Sequence, residues 1–252
     1  MRLLDGATGT ELARRGFELR APAFSAAANL EAPALVSAIA ADYATAGAAM
    51  ITTNTTCAHR HYVGDDVARQ CRAAVALARR GAPSAQVAGA VAMLPAAVEP
   101  IRRAQQYRET AIALVEAGVD VLLLESFVDL DELARALEVT RGLHPRRWAA
   151  VVPTPTLHAA ALAGLEVEHV ALHCAALPTI AAALELAPGG VIEAAYPSCA
   201  PGQDDDAFAA QLVALARRHG LAWIGACCGS TPATIAALAH AQVQQPPLSP
   251  TS

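Results

Sequence analysis

Eight short apolar runs, each followed by a stretch of helical periodicity, recur along the chain, and this alternation restricts its architecture more than any other feature. The strand-like runs fall at 2–5, 48–54, 86–92, 119–125, 148–153, 169–174, 190–196 and 222–228. Helical patterns follow at 30–46, 65–80, 101–117, 129–142, a short one at 157–164, then 177–187, 206–219 and 232–241. Strands separated by helices pair in parallel, and eight such units close a sheet on itself. The expected fold class is therefore α/β, a single (β/α)8 TIM barrel. A doubly wound open sheet would show fewer units and a G-x-G-x-x-G turn after its first strand. The first turn here, Asp5-Gly6-Ala7-Thr8-Gly9-Thr10-Glu11-Leu12, lacks that spacing and the lysine of a P-loop. A length of 252 residues suits one barrel over 1–241, with the Gln- and Pro-containing segment 242–252 expected to be a disordered tail.

Hydrophobic residues make up 54% of the chain and charged ones 16%, which demands extensive burial. The formal net charge is -5, lysine is absent and no basic run occurs, so no footprint for nucleic acid or an anionic membrane is present. The polar start Met1-Arg2-Leu3-Leu4-Asp5 does not read as a signal peptide, and no apolar run reaches the roughly 18 residues of a membrane span. A cytoplasmic protein is expected, its six cysteines reduced or metal-bound, with oligomerisation left open.

A barrel of this kind keeps its chemistry at the carboxyl ends of its strands. The most distinctive such end is Gly225-Ala226-Cys227-Cys228-Gly229-Ser230-Thr231-Pro232, between the run Leu221-Ala222-Trp223-Ile224 and a helix opened by Pro232. Side chains of adjacent strand residues point to opposite faces, so Cys227 and Cys228 share a ligand only if the backbone leaves strand geometry; Gly225 and Gly229 permit this. Catalytic zinc usually takes three protein ligands and one open position. For the third ligand, spacing ranks Cys174, at the end of the sixth run, just above Cys199. Cys71 falls in a helical pattern and reads as core. Glu125 ends an apolar run, where a carboxylate is costly without a partner or ligand, and Asp5 ends the first strand, placed to accept from an ammonium. The second strand ends in a polar patch, Thr52-Thr53-Asn54-Thr55-Thr56-Cys57. His59 and His61 could form an H-x-H metal pair, but they lie beyond the strand and read more simply as loop residues.

These segments together resemble the homocysteine S-methyltransferase family. The resemblance runs nearly end to end: 4–12, Ile51-Thr52-Thr53-Asn54-Thr55, Leu122-Leu123-Leu124-Glu125, Cys174 with Pro178, Tyr196-Pro197, and 225–235, of which Cys227-Cys228-Gly229-Ser230-Thr231-Pro232 is the most specific. It implies a zinc-dependent (β/α)8 enzyme with Cys174, Cys227 and Cys228 as zinc ligands. It further implies that Asp5 and Glu125, the candidate catalytic carboxylates, hold the homocysteine amino group, that the backbone around Gly6 and Ala7 holds its carboxylate, and that Thr53 and Asn54 line the same pocket. The implied partners are homocysteine and a sulfonium-type methyl donor, S-methylmethionine or S-adenosylmethionine, with methionine as product.

The sequence departs from the family pattern where the donor would be contacted. Val91-Ala92-Met93-Leu94-Pro95 replaces a Gly-Pro-Tyr type turn, Thr56 stands at a commonly aromatic position, and His173 and Ser198 stand where asparagine is usual. The fifth loop and helix are short. Three alternatives follow: a relative that binds zinc and thiol without turnover, a methyltransferase for another small thiol, and a metal-dependent hydrolase using His59 and His61.

Overall fold

The computed structural model describes residues 1–144, 146–154 and 159–244. Eight parallel strands form one sheet: β1 (Arg2–Leu3), β2 (Met50–Thr52), β3 (Gln86–Ala92), β4 (Val121–Phe127), β5 (Arg147–Val151), β6 (His169–Ala176), β7 (Ala194–Ser198) and β8 (Trp223–Ile224). Neighbours in sequence are neighbours in the sheet, and β1 pairs with β8 through Arg2↔Trp223 and Leu3↔Ile224. The ring closes at β1–β2, where Leu4 bridges Met50 and the Ala49 N–H donates to the Leu3 carbonyl at 2.8 Å. The fold is the TIM barrel expected.

Ten α-helices connect the described strands: α1 (Thr8–Arg14), α2 (Ala28–Glu31), α3 (Pro33–Thr45), α4 (Arg60–Val63), α5 (Val67–Gly81), α6 (Pro100–Glu116), α7 (Leu130–Val139), α8 (Leu177–Leu186), α9 (Asp205–His219) and α10 (Pro232–Gln244). At two helix starts a side chain caps the first turn. Asp204 accepts from the Asp206 and Ala207 N–H groups at the head of α9, and Asp129 accepts from the Asp131 N–H at the head of α7. The link from β5 to β6 has a 3-10 turn at Ala159–Leu162 in place of a full helix, in keeping with its shortness in sequence. Residues 157–158 of that expected helix lie outside the described residues, as do 245–252 of the expected tail; residues 242–244 extend α10. No single helix among the described residues is long and apolar enough to cross a membrane.

Two apolar clusters explain the composition. The larger lies between the strands' outer faces and the helices, and the smaller fills the barrel: Leu4, Met50, Ala88, Val121, Leu123, Trp148, Ala150, Ala171, Ala194, Tyr196 and Trp223. Trp148 and Trp223 meet edge to face at 5.2 Å, and the Arg2 guanidinium lies 4.1 Å from the Trp223 ring centroid. Four alanines of the inner cluster sit on β3, β5, β6 and β7, so the large rings and the small side chains share the interior between them.

Candidate functional site

Regular strand geometry ends at Ile224, earlier than the apolar run predicts. A Cβ on Gly225 would meet Leu4 Cβ at 2.7 Å, so glycine lets the chain pass close to β1. The Cys227 N–H donates to the Pro197 carbonyl at 2.7 Å, and the Cys228 carbonyl accepts from the Cys199 N–H at 2.8 Å. Gly229 then takes φ +82, and the Ser230 N–H donates back to the Cys227 carbonyl at 3.1 Å. This turn brings the two cysteine sulfurs to one side, 4.0 Å apart.

Cys174 reaches the same place from β6, where the register with β7 slips between His173 and Ala176 and Cys174 itself adopts φ +54. Non-glycine residues hold such a conformation only where their surroundings enforce it. Its Sγ lies 3.6 Å from Cys228 Sγ, beyond bonding distance, and all six cysteines are free thiols. The contact with Cys227 and Cys228 holds the Cys174 thiol far below the usual range and raises the other two. His173 is also close: its Nδ1 is 4.0 Å from Cys227 Sγ, and one ligand atom from each of His173, Cys174 and Cys227 falls within a 4.8 Å group. Burial pushes His173 down to about 4, so its ring is neutral.

The sulfurs open onto a 310 Å³ cavity at the carboxyl end of the barrel, a size suited to a small ligand. Asp5, Gly6, Ala7, Thr53, Asn54, Glu125, Cys174, Cys227 and Cys228 all line it. Asp5 accepts from the Thr52 N–H at 2.7 Å and from Thr52 Oγ1 at 3.0 Å; Glu125 accepts from Thr56 Oγ1 at 3.1 Å. Burial raises both carboxyls to about 7, and the two acids repel each other's charge. Among the described residues neither forms an ion pair with an arginine, in contrast to Glu11, which is clamped by Arg14 and Arg15. The Tyr196 hydroxyl, also on this cavity, is buried with no hydrogen-bond partner among the described residues.

The remaining wall residues are braced by the protein. Gly6 is packed so tightly that a Cβ would meet Ser230 Oγ at 2.5 Å and Tyr43 Cε1 at 2.6 Å, and the Ala7 N–H donates to Ser230 Oγ at 3.1 Å. Thr53 Oγ1 bonds Thr55 Oγ1 at 2.8 Å and accepts from the Ala90 N–H at 3.1 Å. Asn54 Nδ2 donates to the Ser25 carbonyl at 2.7 Å and to Asn29 Oδ1 at 3.1 Å. Sequence reasoning missed Thr52 as the partner of Asp5, Ser230 as the partner of Ala7, and the short helix α1 within the glycine-rich turn.

The competing candidates fall elsewhere. His59 is fully buried, not on an open loop: its Nε2 pairs with the Ala92 carbonyl and its Nδ1 with Thr110 Oγ1, both at 2.9 Å, so neither nitrogen is available for a metal. His61 packs on Tyr62 at 4.7 Å on the surface. Cys199 lines a separate cavity with Ser198 and Phe208, and Cys71 is buried in α5 as expected.

The homocysteine S-methyltransferase family model matches residues 2–242. Among solved structures, the metallated form of the Escherichia coli homocysteine methyltransferase MmuM superposes with TM-score 0.79 at 26% identity, covering 97% of this chain and 96% of that one. Its apo form gives 0.77 at 27% identity, covering 96% and 95%. The 3-hexulose-6-phosphate synthase of Salmonella typhimurium shares the fold alone, with TM-score 0.52 at 9% identity over 84% and 94% of the two chains. No curated protein sequence matches the chain. Family match, end-to-end superposition and the convergent cysteines agree: this chain belongs to the homocysteine S-methyltransferase family.

Proposed function

We propose that the protein transfers a methyl group from a sulfonium donor, S-methylmethionine or S-adenosylmethionine, to homocysteine, with Zn2+ held by Cys174, Cys227 and Cys228. The observation that carries this reading is the convergence of three uncrosslinked sulfurs, 3.6 and 4.0 Å apart along the cluster, on a cavity that two buried carboxyls also line. The donor set fits zinc: three sulfur ligands from two strand ends, with a cavity in front of them to receive a fourth.

Bound zinc supplies a Lewis acid beside which a thiol of ordinary pKa, about 8.5, ionises at neutral pH. The thiolates of Cys174, Cys227 and Cys228 would hold the ion and, with three negative charges against its two, would keep sulfur there electron-rich. Asp5 and Glu125 receive the substrate ammonium between them, and that cation relieves the repulsion and desolvation that hold both carboxyls near 7. The substrate carboxylate lies along Gly6 and Ala7, competing with Ser230 Oγ for the Ala7 N–H. Thr53 and Asn54 keep that wall rigid.

With the amino acid fixed at one end, its thiolate faces the donor. The new S–CH3 bond forms as the donor's sulfonium S–CH3 bond breaks; the bonding pair stays on the donor sulfur, which leaves neutral, and the thiol proton has gone to solvent. The protein's contribution to that step is alignment, which is worth up to about 7–11 kcal/mol in well-oriented reactions. Phe24, exposed at the cavity mouth, offers a ring face to a cationic donor. The test is methionine formation, followed by mass spectrometry, with zinc-loaded reduced protein, homocysteine and S-methylmethionine, S-adenosylmethionine or betaine in turn. Turnover with a sulfonium donor, abolished in Cys228→Ala, is the expected result; no methionine from any donor by protein with bound zinc would overturn the reading.

A further inference from the structure

His173 stands within the group of potential metal-binding atoms, with its Nδ1 as near to Cys227 Sγ as Cys228 Sγ is, at 4.0 Å in both cases. Distance alone therefore does not separate a ligand from a neighbour. The other face of the ring does. The Ser126 N–H donates to His173 Nε2 at 2.8 Å. This amide is free for the purpose because the β4–β5 register slips between Leu124 and Phe127, and Ser126 itself adopts φ +65. A ring nitrogen that accepts from a backbone N–H carries no proton, so the single proton of the neutral ring sits on Nδ1. The lone pair needed for coordination is committed to Ser126, and the atom that faces the sulfurs is a donor. Coordination through Nδ1 would move the proton to Nε2 and set two N–H groups head to head in a site where His173 is 1% exposed. Tyr196, 4.7 Å away between ring centroids, packs against the same ring.

The geometry points to His173 as a positioning residue: its Nδ1–H donates to the Cys227 sulfur, while Ser126 fixes the ring from behind. Resting on the three-cysteine centre proposed above, this assigns His173 the orienting of Cys227 Sγ and the drawing of negative charge from it, since a hydrogen bond to a thiolate spreads its charge onto the donor. Three sulfurs then suffice for the metal, and the position facing the cavity stays open.

The test uses the full chain labelled with 15N-histidine, whose ring protons are read by two-bond proton–nitrogen correlation without and with one equivalent of Zn2+, the His173 signals being assigned from their loss in His173→Asn. The expected result is the Nδ1–H tautomer in both states. An Nε2–H tautomer appearing on zinc loading, with Nδ1 shifted as a metal ligand, would overturn the proposal while leaving the metal centre itself intact. If no zinc binds, the three-cysteine reading fails, yet the tautomer in metal-free protein still decides His173: Nδ1–H supports the hydrogen bond and Nε2–H refutes it. Competition with a chelator gives a second readout. His173→Ala should weaken zinc by about 10–100-fold, and His173→Asn, whose amide N–H sits near the position of Nδ1, should recover most of that loss. Weakening in His173→Asn as severe as in Cys174→Ala would identify the ring as a ligand and sink the assignment.

Discussion

Gly229→Ala is the substitution whose consequence can be worked furthest from the geometry. Gly229 has φ +82, a conformation that costs an L-residue roughly 1–2 kcal/mol. A Cβ there would also lie less than 3.0 Å from the Cys199 carbonyl oxygen, a backbone atom with little freedom because the Cys199 N–H is bonded to the Cys228 carbonyl at 2.8 Å. Relieving such an overlap by moving backbone typically costs about 1–3 kcal/mol, for a total of about 2–5 kcal/mol. In a chain of this size each kcal/mol moves Tm by roughly 2–4 °C, so a fall of roughly 4–20 °C is expected. The displacement is directed: it pushes 228–230 away from the end of β7 and breaks the spacing of Cys228 from Cys174. Zinc content should therefore fall along with Tm. Gly220→Ala is the matched control, since Gly220 has φ +68 with nothing within 4 Å of the added Cβ and lies at the end of α9, away from the cysteines. It should lose only the backbone share of stability and keep its zinc. Calorimetry with zinc determination on both variants makes the comparison; a Gly229→Ala protein that melts with Gly220→Ala and retains full zinc would refute the argument that this turn positions the metal site.

Asp5 and Glu125, both raised to about 7, give the homocysteine KM a pH dependence: it should rise as pH falls below about 7 and the acids lose the charge that attracts ammonium, and Asp5→Asn should raise KM and flatten the profile. The same shifts act on stability with the opposite sense. Their folded-state pKa values lie above the ordinary values of 3.8 and 4.5, so their contribution is greatest below those values and is lost as pH rises to about 7; ligand-free Tm should decline between about pH 4 and 7 and level off above, less steeply in Asp5→Asn. His59→Ala should cost about 2–4 kcal/mol by chemical denaturation, from a core cavity and a stranded Ala92 carbonyl and Thr110 hydroxyl, without reducing zinc content. Zinc loss in that variant would revive the histidine pair as a metal site. Tyr196→Phe should leave stability unchanged or improved, because the removed hydroxyl has no partner among the described residues, and a matching Tm test settles it.

The legible parts of this chain were those in which one residue type has one physical use. The run 86–92 maps onto β3 without adjustment, since helix-ending and turn residues bound it on both sides and, after Gln86, its small apolar residues are all buried. The cysteine pair pointed to a turn because two adjacent strand residues cannot face the same way, and the turn is there. What the pattern hid were features made by distant partners. Helix α1 has no apolar periodicity and begins with Thr8, Gly9 and Thr10; it is held by burial of Leu12 and by the Glu11 carboxylate between two arginines. His59 looks like a loop residue until Ala92 and Thr110, from two other elements, enclose it. Cys174 and Cys199 were nearly equal by spacing because a strand end says nothing about the bulge that turns one of them inward; the φ of +54 at Cys174 is set by the β6–β7 register slip. His173 adjoins Cys174 in the sequence, but only the amide of Ser126, 47 residues away, defines which of its nitrogens can act.

The central claim is that three cysteine sulfurs hold a metal to which the substrate thiol adds as a fourth. Zinc K-edge X-ray absorption on the protein with and without homocysteine counts those sulfurs directly. Three sulfur scatterers and one lighter atom, becoming four sulfurs when homocysteine is added, are predicted, with the three-sulfur count reduced by one in Cys228→Ala. A sulfur count that does not rise with homocysteine, or a resting centre with fewer than three sulfurs, would contradict the account.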